Sequence, residues 1–145
     1  MEKIKVLFVC IHNSARSQMA ESLLKEMAGD RFEATSAGLE KGALNPIAVK
    51  VMAEIGIDIS NNATKDVFDF YIKNHEYNYV VTVCDAANSD RCPVFPSVTH
   101  TYHWSFEDPS AFTGTEEEKL VKTRIVRDEI KAALAAFVTE VGEIY

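Results

Sequence analysis

The 145-residue chain contains no long hydrophobic run. Its first apolar segment follows Met1-Glu2-Lys3-Ile4-Lys5 and is too short to be read as a signal h-region or a membrane span. A cytoplasmic location is therefore expected, and no membrane partner. Positive charge is scarce as well: 15 Lys and Arg against 22 Asp and Glu leave a net charge of -7. Nothing supplies the broad basic face that nucleic-acid phosphates or anionic lipids require, so any anion must be captured locally. Cysteine is sparse and odd in number, three in all, which in a reducing compartment excludes a structural disulfide framework. Inert packing, metal binding and thiol chemistry remain. No repeat, linker or low-complexity tract divides the chain, so residues 1–145 read as one domain, with monomer as the expected state.

Strand and helix signals alternate along the sequence. Lys3 to Val9 is a near-continuous apolar run with a β-branched bias, as a buried parallel strand requires, and it delivers Cys10 at its end. From Ser17 the period becomes helical, with Met19, Ala20, Leu23, Leu24 and Met27 on one face and Gly29 as the stop. Phe32 to Ser36 is a second strand. Asn45-Pro46 is an N-cap followed by proline at the first helical position, and Gly56 closes that helix. A third helix starts near Thr64. Tyr79 to Val83 is the most β-prone run and delivers Cys84 at its carboxyl end. Thr99 to Trp104 is a fourth strand, and Thr115-Glu116-Glu117-Glu118 is a capping box opening a long helix with Ile130, Leu134, Phe137 and Val141 in its apolar stripe. The alternation predicts an α/β fold in three layers, a four-stranded parallel sheet with helices on both faces. Ligands of such sheets bind beyond the carboxyl ends of the strands, where strand order reverses. If the first and third strands flank that point, Cys10 and Cys84 are neighbours.

The segment Cys10-Ile11-His12-Asn13-Ser14-Ala15-Arg16-Ser17 sets a thiol at a strand end, a short loop, and an arginine at the mouth of a helix. Such a loop can aim backbone N–H groups inward, where the helix dipole also favours negative charge. Arg16 adds a planar fork of donors that grips two oxyanion oxygens at once. Helix N-termini with a neighbouring arginine favour thiolate, the nucleophilic form of cysteine. The spacing C-x5-R alone is weak evidence; its placement between strand and helix makes it specific. Residues 11–17 are the expected anion-binding loop, for phosphate or arsenate, and Cys10 is the expected nucleophile.

The chain resembles the low-molecular-weight phosphotyrosine phosphatase fold, and more narrowly the thioredoxin-coupled arsenate reductases built on it. The resemblance covers nearly the whole sequence. It is carried by the C-x-x-N-x-x-R-S loop, Asn45-Pro46, Gly56-Ile57-Asp58-Ile59-Ser60, Val80-Val81-Thr82-Val83-Cys84, Cys92-Pro93, His103-Trp104, Phe106-Glu107-Asp108-Pro109 and Arg127-Asp128-Glu129-Ile130. It implies that Asp108 is a general acid, protonating the oxygen that leaves when Cys10 attacks. Read without the resemblance, Asp108 is a turn residue before proline.

A loop of this kind can form a phosphocysteine or an arsenocysteine. Water finishes the first; reduction of arsenate to arsenite takes two electrons, which thiols supply by ending as a disulfide. Reduction thus needs a second cysteine within reach, and Cys84 and Cys92 are available. The resemblance implies a Cys10–Cys84 disulfide, then a Cys84–Cys92 disulfide that thioredoxin reduces, with the segment around Cys84 moving during turnover. Two departures from the family pattern are visible: Ala15 stands where many relatives carry a cysteine, and seven residues rather than six separate Cys84 from Cys92. No tightly bound cofactor is expected. The resemblance also implies a potassium site on Asn13, Glu21, Ser36 and Asp66. Alternatives are a phosphatase, in which the two further cysteines only pack, and a noncatalytic anion or metal binder, the latter assembling Cys84, Cys92, His100 and His103 around zinc.

Overall fold

The computed structural model describes residues 3–40, 42–72, 76–83, 98 and 100–144. Its elements are β1 (Ile4–Cys10), α1 (Arg16–Ala28), β2 (Phe32–Gly38), α2 (Pro46–Ala53), α3 (Val67–Ile72), β3 (Tyr79–Thr82), β4 (His100–His103), a 3-10 turn (Pro109–Ala111) and α4 (Glu116–Ile144). All strand pairings are parallel, in the order β2-β1-β3-β4. Cys84 and Cys92 lie outside the described residues.

The alternating side chains of β1 divide the core. Val6, Phe8 and Cys10 face one apolar cluster with residues of α1, α2 and α4, whereas Leu7 and Val9 face a smaller one with Val67 of α3. The fold is therefore the expected three-layer α/β sandwich, and it puts Cys10 at the carboxyl edge of a strand buried on both faces.

Local chemistry explains the element ends. The Asn45 carboxamide oxygen accepts the amides of Ile47 and Ala48 at 2.8 and 3.3 Å and starts α2, with Pro46 at its first position. Gly56, at φ +81°, takes the left-handed turn that lets Ile57 N donate to Met52 O and seal the other end. Thr115 Oγ1 accepts the Glu118 amide at the start of α4. The third helix begins at Val67 rather than near Thr64. Residues just before it are pinned to β2: Gly38 N donates to Lys65 O at 2.7 Å, and Gly38 and Asp66 form a parallel bridge.

Phe137 of α4 is the central knob against the sheet. It is 2% exposed and lies edge-on to Tyr79, Tyr102 and Trp104, with ring centroids 5.6 to 5.8 Å away. Phe137→Ala leaves a void that those rings cannot close, so urea unfolding should register a loss of roughly 3–5 kcal/mol.

At the opposite end of the α2–α4 contact, Glu54 accepts from Arg124 Nε at 3.0 Å to each oxygen and from Arg127 Nη1 at 3.0 Å. The Arg124 hydrogen bond, with its charge and the Arg127 contacts, holds the Glu54 carboxyl below its ordinary 4.5 against the opposing effect of desolvation. A depressed folded-state value means that the contribution is complete above 4.5 and is lost as pH falls through the folded value. Denaturant midpoints of the intact protein should therefore fall on acidification below that pH, and Glu54→Gln should flatten this part of the profile.

Candidate active site

Cys10 ends β1, and Arg16 opens α1, so the five residues between them must reverse the chain at the top of the sheet. Asn13 makes that turn at φ +55°, in the left-handed region that asparagine tolerates better than most residues. The returning β2 strand packs directly beneath. Leu39 N and Glu40 N donate to the carbonyls of Cys10 and Ile11 at 2.9 and 2.7 Å. At Gly38 a Cβ would sit 2.7 Å from Asn13 N, so only glycine fits under the loop.

The Asn13 carboxamide is the hub of a buried network. Its Oδ1 accepts from the Lys65 backbone amide at 3.0 Å and from Gln18 Nε2 at 3.0 Å, and its Nδ2 donates to Ser17 Oγ at 2.7 Å. Because the Lys65 N–H can only donate, the orientation of the carboxamide is fixed. Ser17 Oγ, which accepts from Asn13, also lies within hydrogen-bond distance of Cys10 Sγ, 2.8 Å away, and either of the two can donate. Gln18 in turn donates to Ala63 O at 3.0 Å and accepts from Asn62 Nδ2 at 3.1 Å, anchoring the hub to the chain before α3. Cys10, Asn13 and Ser17 are buried.

Helix α1 has no side-chain cap: Ala15 occupies the N-cap position, and no acidic residue lies in the first turn. Uncapped first-turn amides beside a thiol leave the positive end of the helix to an anionic ligand. Arg16 is 2% exposed. Its Nη1 donates to Phe106 O at 3.0 Å, and its Nη2 lies 3.5 Å from Asp108 Oδ2. The Asp-Pro segment is thus held over the anion loop. Ser110 completes the latch, donating its amide to Asp108 Oδ1 at 3.0 Å while its hydroxyl receives Asn45 Nδ2 at 3.1 Å and lies 3.3 Å from Ser14 Oγ. His12, at the rim, pairs with Glu40 at 3.2 Å, both side chains about half exposed.

The sequence-predicted residues Cys10, Arg16, Asp108 and the loop 11–17 therefore converge. Gln18, Asn62, Lys65 and Ser110 were not predicted. Asp-Pro-Ser could have been read as an Asx turn that fixes Ser110, whereas Gln18 and Asn62 carry no local signal. Val83 N donates to Val9 O at 2.8 Å, so the described chain runs beside β1 as far as the residue before Cys10.

The metal readings fare differently from the anion loop. Of the four residues expected to hold potassium, Ser36 meets Glu21, but both lone pairs of the Asn13 carboxamide oxygen are taken, and Asp66 Oδ1 accepts the Phe68 amide at 2.8 Å. Glu21 already receives the Ser36 hydroxyl at 2.9 Å and faces the ammonium groups of Lys25 at 3.0 Å and Lys65 at 3.8 Å. With ammonium groups already facing Glu21, that donor set does not fit a potassium ion as it stands. For zinc, His100 and His103 stand three apart on β4 and so point to opposite faces of the sheet. His103 Nδ1 is bonded to Thr82 Oγ1 at 2.8 Å. Among the described residues no group of three or more His, Cys, Asp or Glu side chains could hold a metal.

A thiol at the floor of a C-x5-R loop, at the β1–α1 turn of a parallel sheet, defines a class of oxyanion-handling α/β proteins. Within it the chain belongs to the low molecular weight phosphotyrosine protein phosphatase family, whose model matches residues 5–144. It is 47% identical over 137 residues to an arsenate reductase of Bacillus subtilis (strain 168), covering 94% of this chain and 96% of the relative. An arsenate reductase of Shouchella clausii (strain KSM-K16) is 44% identical over 143 residues, 99% of this chain and all of the relative. Among solved structures, an arsenate reductase in the oxidized state superposes with a TM-score of 0.77 at 30% identity, over 94% of this chain and 98% of the other. A thioredoxin-dependent arsenate reductase of Corynebacterium glutamicum gives 0.67 at 27% identity, over 95% of this chain and 63% of the other.

The contact between Ser17 Oγ and Cys10 Sγ generates a test that needs no substrate. A hydrogen bond of this kind is worth roughly 0.5–1.5 kcal/mol, so Ser17→Ala should change the rate of iodoacetamide labelling of Cys10 several-fold at neutral pH. Peptide mass spectrometry separates this site from the other cysteines, and Cys10 labelling as fast as in the intact protein would remove Ser17 from the site.

Proposed function

We propose that the protein reduces arsenate to arsenite, with Cys10 as nucleophile, Cys84 and Cys92 as resolving thiols, and thioredoxin as electron donor. The observation that carries this reading is Cys10 Sγ beneath an uncapped helix N-terminus, bonded to Ser17 at 2.8 Å, with Arg16 and Asp108 facing each other 3.5 Å apart at the rim. The similarity to named arsenate reductases over nearly the full chain supports it.

Arsenate is held by the first-turn amides of α1 and by Arg16, which spread its charge over fixed donors. The Cys10 thiolate attacks arsenic, and one As–O bond breaks as Asp108 gives its proton to the departing oxygen. Cys84 thiolate then attacks Cys10 Sγ. An S–S bond forms, the As–S pair passes to arsenic, arsenic(V) becomes arsenic(III), and arsenite leaves. Cys92 attacks Cys84 and frees Cys10; the remaining disulfide takes two electrons from the thioredoxin dithiol. Each bond requires the cysteine Cα atoms to approach within about 7 Å. The Val83–Val9 contact supports Cys84 as the first partner, since it brings the chain to the Cys10 end of the sheet. A reducing, cytoplasmic setting and a monomer accord with this chemistry, and among the described residues no helix is long and apolar enough to cross a membrane.

A second reading, hydrolysis of aryl phosphates, is favoured by the same placement of Asp108 against Arg16 and by the family as a whole. There water replaces Cys84 and attacks a phosphocysteine. The two separate in one assay with arsenate, thioredoxin, its reductase and NADPH. The intact protein should consume NADPH in proportion to arsenate, Cys10→Ser and Cys84→Ser should abolish turnover, and Cys92→Ser should reduce it by at least ten-fold. Aryl-phosphate hydrolysis that is untouched by Cys84→Ser, with no NADPH consumed, would establish the phosphatase instead.

A further inference from the structure

Glu21 is the only buried carboxylate among the described residues, at 6% exposure. It lies one turn into α1, directly behind the anion loop, and a buried charge there must be compensated. Ser36 Oγ donates to its Oε1 at 2.9 Å, but a hydroxyl adds no charge. Lys25 approaches Oε2 at 3.0 Å from the next helical turn, yet its side chain is 56% exposed, which makes it a loosely held surface partner.

Lys65 is held differently. Its amide donates to Asn13 Oδ1 at 3.0 Å, and its carbonyl accepts from Gly38 N at 2.7 Å. Its Nζ donates to Ala63 O at 3.2 Å and lies 3.8 Å from Glu21 Oε1, with the side chain 29% exposed. One residue thus touches the loop hub with its backbone and the buried carboxylate with its charge.

We propose that the Lys65 ammonium is a tethered monovalent cation, neutralising Glu21 behind the anion loop and making that loop's support independent of dissolved potassium. An ammonium group and a potassium ion carry the same charge. The tethered one does not give up translational freedom on binding, and its occupancy does not depend on salt composition. It also explains why the Asn13 oxygen can spend both lone pairs on N–H donors rather than on a metal. The inference concerns how the loop is supported and holds whether the loop reduces arsenate or hydrolyses phosphate esters.

The test is thermal unfolding of the full chain, thiols reduced, in potassium chloride against tetramethylammonium chloride at equal ionic strength. The intact protein should melt at the same temperature in both. Lys65→Gln should melt about 2–4 °C lower in tetramethylammonium chloride and recover in potassium with a saturable dependence. Lys65→Arg should stay indifferent to the cation, and Lys65→Gln with Glu21→Gln should lose the potassium response because no charge is left to neutralise. A saturable potassium stabilisation of the intact protein would overturn the proposal. So would a Lys65→Gln protein that gains nothing from potassium, whether it folds or not.

Discussion

The geometry of the site depends on one carboxamide. A strand that ends in a thiol and a helix that begins six residues later could be joined by many loops, most of which would point their amides at solvent. Asn13 selects one of them. Its backbone takes the left-handed turn, and its side chain spends one donor and two acceptor positions on Ser17, Gln18 and the Lys65 amide. Since those three partners come from α1 and from the chain before α3, the loop cannot relax without disturbing two elements. Gly38 closes the remaining degree of freedom from below, where its missing side chain lets β2 touch the Asn13 amide. Rigidity of this kind is what an oxyanion site needs, because donors fixed in advance do not have to reorganise as charge develops.

The same arrangement answers how a chain of net charge -7 holds an anion. Long-range attraction is unfavourable, so binding must come from short-range donors in a place where water is excluded. Arg16 supplies the one formal charge at the loop, 2% exposed, and Asp108 faces it rather than the helix N-terminus. Asp108 is therefore held beside Arg16 without cancelling the field of the first-turn amides. Ser110 contributes by taking up Asp108 Oδ1 with its amide, which leaves Oδ2 toward Arg16.

Much of this was legible in the sequence, for identifiable reasons. The β1 and β3 runs are apolar on both faces because the sheet is covered on both, and period then distinguishes α1 and α4 from them without ambiguity. Asn45-Pro46 and Thr115 announced their helices because capping is local chemistry. Cys10, Arg16 and the loop between them were visible because their spacing and their place between elements coincide. What escaped was non-local. Gln18 and Asn62 meet across 44 residues, and Ser110 meets Ser14 across 96, so no window of sequence contains the reason for either. The onset of α3 was misplaced for a related reason, since the pairing of Gly38 with Lys65 and Asp66 draws the preceding residues out along β2. The potassium expectation came from residue types alone; Lys65, whose ammonium faces Glu21, belongs to none of the motifs.

The loop by itself is neutral between hydrolysis and reduction. Everything it fixes, the thiol, the amides, Arg16 and Asp108, serves the first displacement, and that displacement is common to phosphate and arsenate. The choice falls to whatever reaches Cys10 Sγ next. A water molecule attacks phosphorus and leaves the sulfur unchanged, whereas a thiolate attacks sulfur and needs a leaving group that can accept an electron pair. Arsenic(V) bound through sulfur accepts one readily and phosphorus(V) does not, so a thiolate that reached Cys10 Sγ would complete the reaction of arsenate and not that of phosphate. β3 hydrogen-bonds β1 as far as Val83 and Val9, and the next residue in the chain is a cysteine. What the structure fixes is spatial: a rigid loop at the β1–α1 turn, with β3 running beside β1 at the same end of the sheet.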